Sequence, residues 1–182
     1  KLNVLSSGAA TVTVSNIDSV VGVTAADAIN LILVGANPIA VSDVDNIRGS
    51  SGLDSVTMLV TGAMILSDVE SVTGHSATTD VITMAGSGTQ NLQISLIDTL
   101  IGGGATDRVT LASAATVTIS NVEVVIGQAA AGDVINLATA SSMIVSLVET
   151  VIGTAASETV TLSSGDGALT VSLIDTVVGN SG

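Results

Sequence analysis

The chain has 182 residues, enough for one sizeable core, yet it contains no Phe, Trp, Tyr or Cys, and its 47% apolar content comes from Val, Ile, Leu, Ala and four Met. The missing cysteines exclude disulfides and thiolate metal sites, and the β-branched bias suits pleated strands and argues against disorder. Sixteen acids against three bases give a net charge of −13, which repels phosphate backbones and, without aromatic stacking platforms, makes nucleic acid a poor partner.

Along the chain, Val12 and Val14 alternate with Thr, and this period of two predicts a strand. Ser15 follows, and then apolar residues recur three apart at Val14, Ile17 and Val20, which predicts a bend near Ser15 and Asp18 before Gly22 closes the unit. Asp54-Ser-Val56-Thr-Met58 is an acid-led alternating strand, repeated at Asp107–Leu111 and Asp133–Leu137. The strand that ends before Ser returns at Val117/Ile119 and Leu169/Val171, and the bend returns at Val148-Glu149-Thr-Val151.

Glycines close the successive units at Gly22, Gly49, Gly74, Gly102, Gly127, Gly153 and Gly179, separated by 27, 25, 28, 25, 26 and 26 residues. A fixed period of this size is the mark of a stacked repeat architecture, because a short strand with one apolar face buries it only against neighbouring units. The expectation is one all-β domain over 1–182: a parallel β-solenoid of seven coils, about three short strands to each 26-residue coil, right-handed by the crossover rule. At about 4.8 Å per coil the rod is about 34 Å long. Val56, Ile82, Val109, Ile135 and Val160 are expected to form one buried aliphatic column.

Each apolar stretch meets an acid before the ~20 residues that a transmembrane helix needs. A membrane β-barrel would carry aromatic girdles that this chain lacks, so no membrane insertion is expected. No signal peptide stands at Lys1, which reads as a mature chain or an excerpt of a longer one.

Thirteen acids fall into two columns at the repeat period. One holds Asp18, Asp45, Glu70, Asp98, Glu123, Glu149 and Asp175; the other holds Asp27, Asp54, Asp80, Asp107, Asp133 and Glu158. Stacked one strand apart, like charges would repel by roughly 1 kcal/mol in water and several times that near a protein surface. Two things could offset this: turn N–H groups donating to the carboxylates, or calcium shared between turns, since that hard cation takes six to eight oxygens. The Asp27 column is the preferred calcium ligand set because it follows the glycine turn.

The turn residues carry a resemblance. "GSSGLDSVT" at 49–57 resembles the repeats-in-toxin nonapeptide GGxGxDxUx, with Ser50 at its second Gly, and "GGGATDRVT" at 102–110 keeps two glycines and the Asp. The resemblance covers the turns, about a third of the chain, and the 26-residue period departs from that family's shorter coils. It implies a large bacterial secreted or cell-surface protein with calcium in its turns.

Other columns suggest less. Ser15, Ser42, Ser67, Ser95, Ser120, Ser146 and Ser172 are aligned, but a nucleophilic serine needs a base, and the one histidine, His75, reads as a solvated turn residue. No enzyme is expected. A row of Asn30, Thr57, Thr83, Thr110, Asn136 and Thr161 raises an alternative function, a binding module for ice or another surface. Ile101, Ile126, Ile152 and Val178 are expected to point outward as one aliphatic stripe, a lateral interface. The chain begins and ends at the same phase of the repeat, so end-to-end self-association is also expected. Together these point to a structural, self-associating extracellular segment of a filament, surface layer or adhesin stalk.

Overall fold

The computed structural model describes the chain except for residues 6–9, 23–28, 34–37, 77–78, 130–131, 140, 155, 164–167 and 181–182. Among the described residues twenty-one short strands form two parallel sheets, and the chain alternates strictly between them. Sheet I has eleven strands and sheet II has ten. The fold is the expected parallel β-solenoid, and no helix occurs among the described residues.

Its coil is shorter than the sequence repeat. Ile82 stacks between Met64 and Leu100, each 18 residues away. Elsewhere the step runs from 16 residues, between Val109 and Val125, to 22, between Val72 and Ile94. Each coil contributes one strand to each sheet, so it holds two strands rather than three. The 26-residue repeat still has its three strands: a lead strand such as Ser55–Met58, a middle strand such as Ala63–Ser67 and a closing strand such as Ser71–Thr73. One repeat therefore spans one and a half coils. Eleven strands in a sheet, at about 4.8 Å each, make a rod about 48 Å long instead of 34 Å.

This geometry redistributes the expected columns. Equivalent residues of successive repeats lie on opposite sheets, and they return to the same sheet only every third strand. Val56, Ile82, Val109, Ile135 and Val160 are all fully buried, but they form no single column. Val56 stacks between Ile39 and Val72, which belong to a middle and a closing strand. What makes the core continuous is that all three strand kinds turn an aliphatic residue inward at the matching register, as Leu100, Ile119 and Leu137 also do. The period-two pattern was thus sufficient for burial, whereas the stacking partner depended on how many strands one coil holds.

The corner between middle and closing strands explains two repeated residue types. The residue after the column serine has left-handed backbone at Asn16, Asp43, Asp68, Leu96, Asn121, Leu147 and Leu173, with φ between 52° and 57°. That conformation turns the chain within one residue, and the next apolar residue, such as Val69, Ile97 or Val122, then fills the corner of the core. The column serine accepts a 2.8 Å bond at its carbonyl from the closing glycine one coil earlier, as in Gly74 N–H to Ser95 O and Gly102 N–H to Ser120 O. The next carbonyl lies directly over that glycine. A Cβ on Gly49 would overlap the Asp68 carbonyl, and one on Gly102 would overlap that of Asn121. The closing residue is glycine because another coil's backbone occupies the space of a side chain.

Candidate functional site

The acids lie at the corners where the chain enters each sheet, and the two columns meet there. Asp54 and Glu70 lead into neighbouring strands of sheet I, and Asp80 and Asp98 into neighbouring strands of sheet II. In each pair the acid of one column hydrogen-bonds the backbone of the other. Asp54 N–H donates to Glu70 Oε2 (2.7 Å), Asp80 to Asp98 (2.8 Å), Asp107 to Glu123 (2.7 Å), Asp133 to Glu149 (2.8 Å) and Glu158 to Asp175 (3.1 Å). The third strand in every sequence of three brings no acid from either column to its corner.

The lead-strand acids are buried: Asp54, Asp80, Asp107, Asp133 and Glu158 are at most 1% exposed. A carboxylate so placed needs donors, and the turn after the closing glycine supplies one each time. Ser50, His75, Gly103, Gln128 and Thr154 donate their N–H to the acid of their own turn at 2.5–3.0 Å. The preceding coil supplies another, from Gly62 N–H to Asp80 Oδ1 and from Ala115 N–H to Asp133 Oδ1, both at 2.9 Å. Asp80 and Asp133 are therefore staples between coils, held by N–H groups on both sides, whereas Asp107 Oδ1 and Glu158 Oε2 are buried with no hydrogen-bond partner among the described residues.

Like acids do not stack one strand apart. Asp54 and Asp107 stand three strands apart on one corner, about 14 Å, beyond the screening length of about 8 Å at physiological salt. The repulsion expected within one column is thus removed by distance, and that between Asp54 and Glu70 is offset by the N–H groups that each accepts, from Ser50 and from Asp54 itself.

At Asp80 and Asp133 the donor set does not fit calcium. A calcium ion needs carboxylate lone pairs turned toward it, but both oxygens of Asp80 and of Asp133 accept N–H bonds, whose positive ends would face a cation. Among the described residues no group of three or more acids or histidines could hold a metal ion. Asp27 lies outside the described residues, and Asp18 and Asp45 are exposed.

The remaining expected sites are dispersed. Ile101 and Ile152 lie on sheet II, and Ile126 and Val178 on sheet I, so the single lateral stripe does not form. Asn30, Thr83 and Asn136 likewise fall on sheet II, and Thr57, Thr110 and Thr161 on sheet I. Ser42 Oγ donates to Asp43 Oδ2 (2.7 Å), and Ser95 Oγ lies 3.3 Å from Ser113 Oγ. His75 is partly buried rather than solvated. The Arg48–Asp68 ion pair, at 3.4 Å, is well exposed on both sides and adds little to stability.

Sequence reasoning missed the left-handed corner residue, although Asn or Asp at four of its seven positions was a visible signal. No helix of the structure is long and apolar enough to cross a membrane among the described residues. These features define a parallel β-solenoid whose corner acids tie coil to coil. No family model matches the chain, and no curated protein or solved structure does.

Proposed function

We propose that this chain is a structural, non-catalytic, self-associating segment of an extracellular bacterial assembly, of the kind found in filaments, surface layers or adhesin stalks. One observation carries the reading: the residues that recur in every unit are engaged in joining coils. The closing glycine, the column serine's carbonyl and the buried acid each bond or abut a neighbouring coil. A chain that devotes its repeated positions to stacking makes a stiff rod, and the glycine–acid turns resemble those of repeats-in-toxin proteins, which are exported.

Electron microscopy and small-angle scattering at rising concentration test this reading. Particles that lengthen at constant cross-section support axial self-association. A monomer of constant length at high concentration refutes it.

A further inference from the structure

We infer that the Asp107 corner binds one calcium ion, held between the turn at Gly102 and Gly103 and the loop 85–90 of the preceding coil. Two polar atoms are left over there by the staple geometry. At Asp80 and Asp133 the second carboxylate oxygen accepts from the N–H of the residue opposite, Gly62 or Ala115. The residue opposite Asp107 is Gln90, since Asn91 stands in register with Arg108. Asp107 is 0% exposed, yet among the described residues its Oδ1 has no partner, and neither has the buried Gln90 Nε2. A buried carboxylate oxygen without a donor is costly, so a positive group at this corner is favoured. The chain's own cations do not supply it: Arg48 pairs with Asp68, and Arg108 is exposed.

Other oxygens converge on the same corner. A Cβ on Gly103 would stand 2.8 Å from Gly86 O, 3.2 Å from Met84 O and 3.5 Å from Asp107 Oδ2. The Gln90 amide is close by, its nitrogen 1.9 Å from where a Cβ on Gly86 would stand. A half-turn about the last side-chain bond exchanges that nitrogen for the amide oxygen. Asp107, Met84, Gly86 and Gln90 thus offer two carboxylate, two main-chain and one amide oxygen. The next unit shows what a side chain does in this place. Gln128, one residue after its closing glycine, donates its side-chain NH₂ to Leu111 O, and Leu111 ends its lead strand as Met84 does. Gly103 has no side chain with which to do the same.

An all-oxygen donor set selects a hard cation. Donors spread over the main chain and side chains of two coils suit the flexible six-to-eight-fold shell of calcium, completed by water, better than the compact octahedron of magnesium. With a single carboxylate in the set, the dissociation constant falls at the weak end of calcium sites, about 10⁻³ M. A cleft of about 400 Å³, lined by Gly86, Ser87, Gly88, Thr89 and Gln90 on one wall, gives the ion its route. Bound there, calcium joins coils on sheet I as N–H groups do on sheet II. The site is confined to one corner: Glu158 Oε2 is also unpartnered, but no second such atom accompanies it among the described residues.

Thermal melts and NMR spectra of the full chain, with calcium chloride added and with magnesium or sodium chloride at equal ionic strength, test the inference. At about 10 mM calcium, roughly ten times the expected dissociation constant, the Tm rises by about 3–6 °C. The amide resonances of Gly86, Gln90 and Gly103 shift with it, and the other two salts reproduce neither change. A site this weak holds no ion without added calcium, so a chelator alone leaves the melt unmoved. Asp107→Asn and Gln90→Leu each lower the calcium affinity at least tenfold, whereas Asp80→Asn keeps it. Should Asp107→Asn fail to fold, Gln90→Leu and the resonance shifts of the unmodified chain still decide. A Tm indifferent to calcium, a rise matched by magnesium or sodium, a response kept in both corner variants, or shifts centred on another corner overturns the inference. None of these outcomes bears on self-association, which the measurements of particle length decide separately.

Discussion

Replacing Asp80 with asparagine separates a corner staple from a metal ligand. Asp80 Oδ1 accepts from Gly62 N–H at 2.9 Å and Oδ2 from His75 N–H at 2.5 Å, and the side chain is fully buried. Asparagine keeps one acceptor and turns an NH₂ group toward the other N–H, so one buried donor is left without a partner. That costs about 1–3 kcal/mol, and losing the charge on the remaining bond adds about 1 kcal/mol. The sum of about 2–4 kcal/mol corresponds to a fall in Tm of very roughly 4–16 °C for a chain of this size. Asp98→Asn is the control: this exposed acid accepts one bond at this corner, from Asp80 N–H, and its amide oxygen can turn to meet that donor, so the loss stays under about 1 kcal/mol. Thermal and urea melts with and without a calcium chelator give the comparison. The chelator should leave the Tm of the unmodified chain unchanged. A chelator-induced drop of several degrees that vanishes in Asp80→Asn, or an Asp80→Asn melt that matches the unmodified one, would refute the staple.

Other outcomes follow from the same geometry. Gly102→Ala drives a methyl into the Asn121 carbonyl and toward Asp107 Oδ2 and should cost about 2–3 kcal/mol, whereas Gly104→Ala meets open space and should be neutral or stabilising by up to about 1 kcal/mol; paired urea melts check both. Leu96→Asn places a residue tolerant of left-handed backbone where φ is 55° and should raise stability by several tenths of a kcal/mol to about 1 kcal/mol, read as a higher urea midpoint. Val109→Asp puts an unpaired charge at a fully buried position and should cost more than about 4 kcal/mol, with loss of the β spectrum in circular dichroism.

Much of this fold was legible because alternation is a local signal. Val56, Val109 and Ile135 announce their inward direction through their immediate neighbours, and all three are buried. Coil length was not legible, because the sequence repeats whenever the same kind of corner returns, and three kinds of corner serve two strands per coil. The acid columns were visible as columns, but their pairing was not: Asp54 meets Glu70 only because 16 residues make one coil. For the same reason Ile101 and Ile126 looked like neighbours on one stripe and lie on opposite sheets.

A repeat of one and a half coils gives this rod a parity. Insert one 26-residue unit and every downstream residue changes side: what faced one neighbour now faces the other, with each local contact intact. Insert two, and three whole coils restore the original sides. Lengthening by single units is thus neutral for stability and inverting for recognition, so any partner that grips one side should tolerate additions in pairs and reject odd ones. A sequence built from such units carries a counting rule in its length that no individual residue expresses.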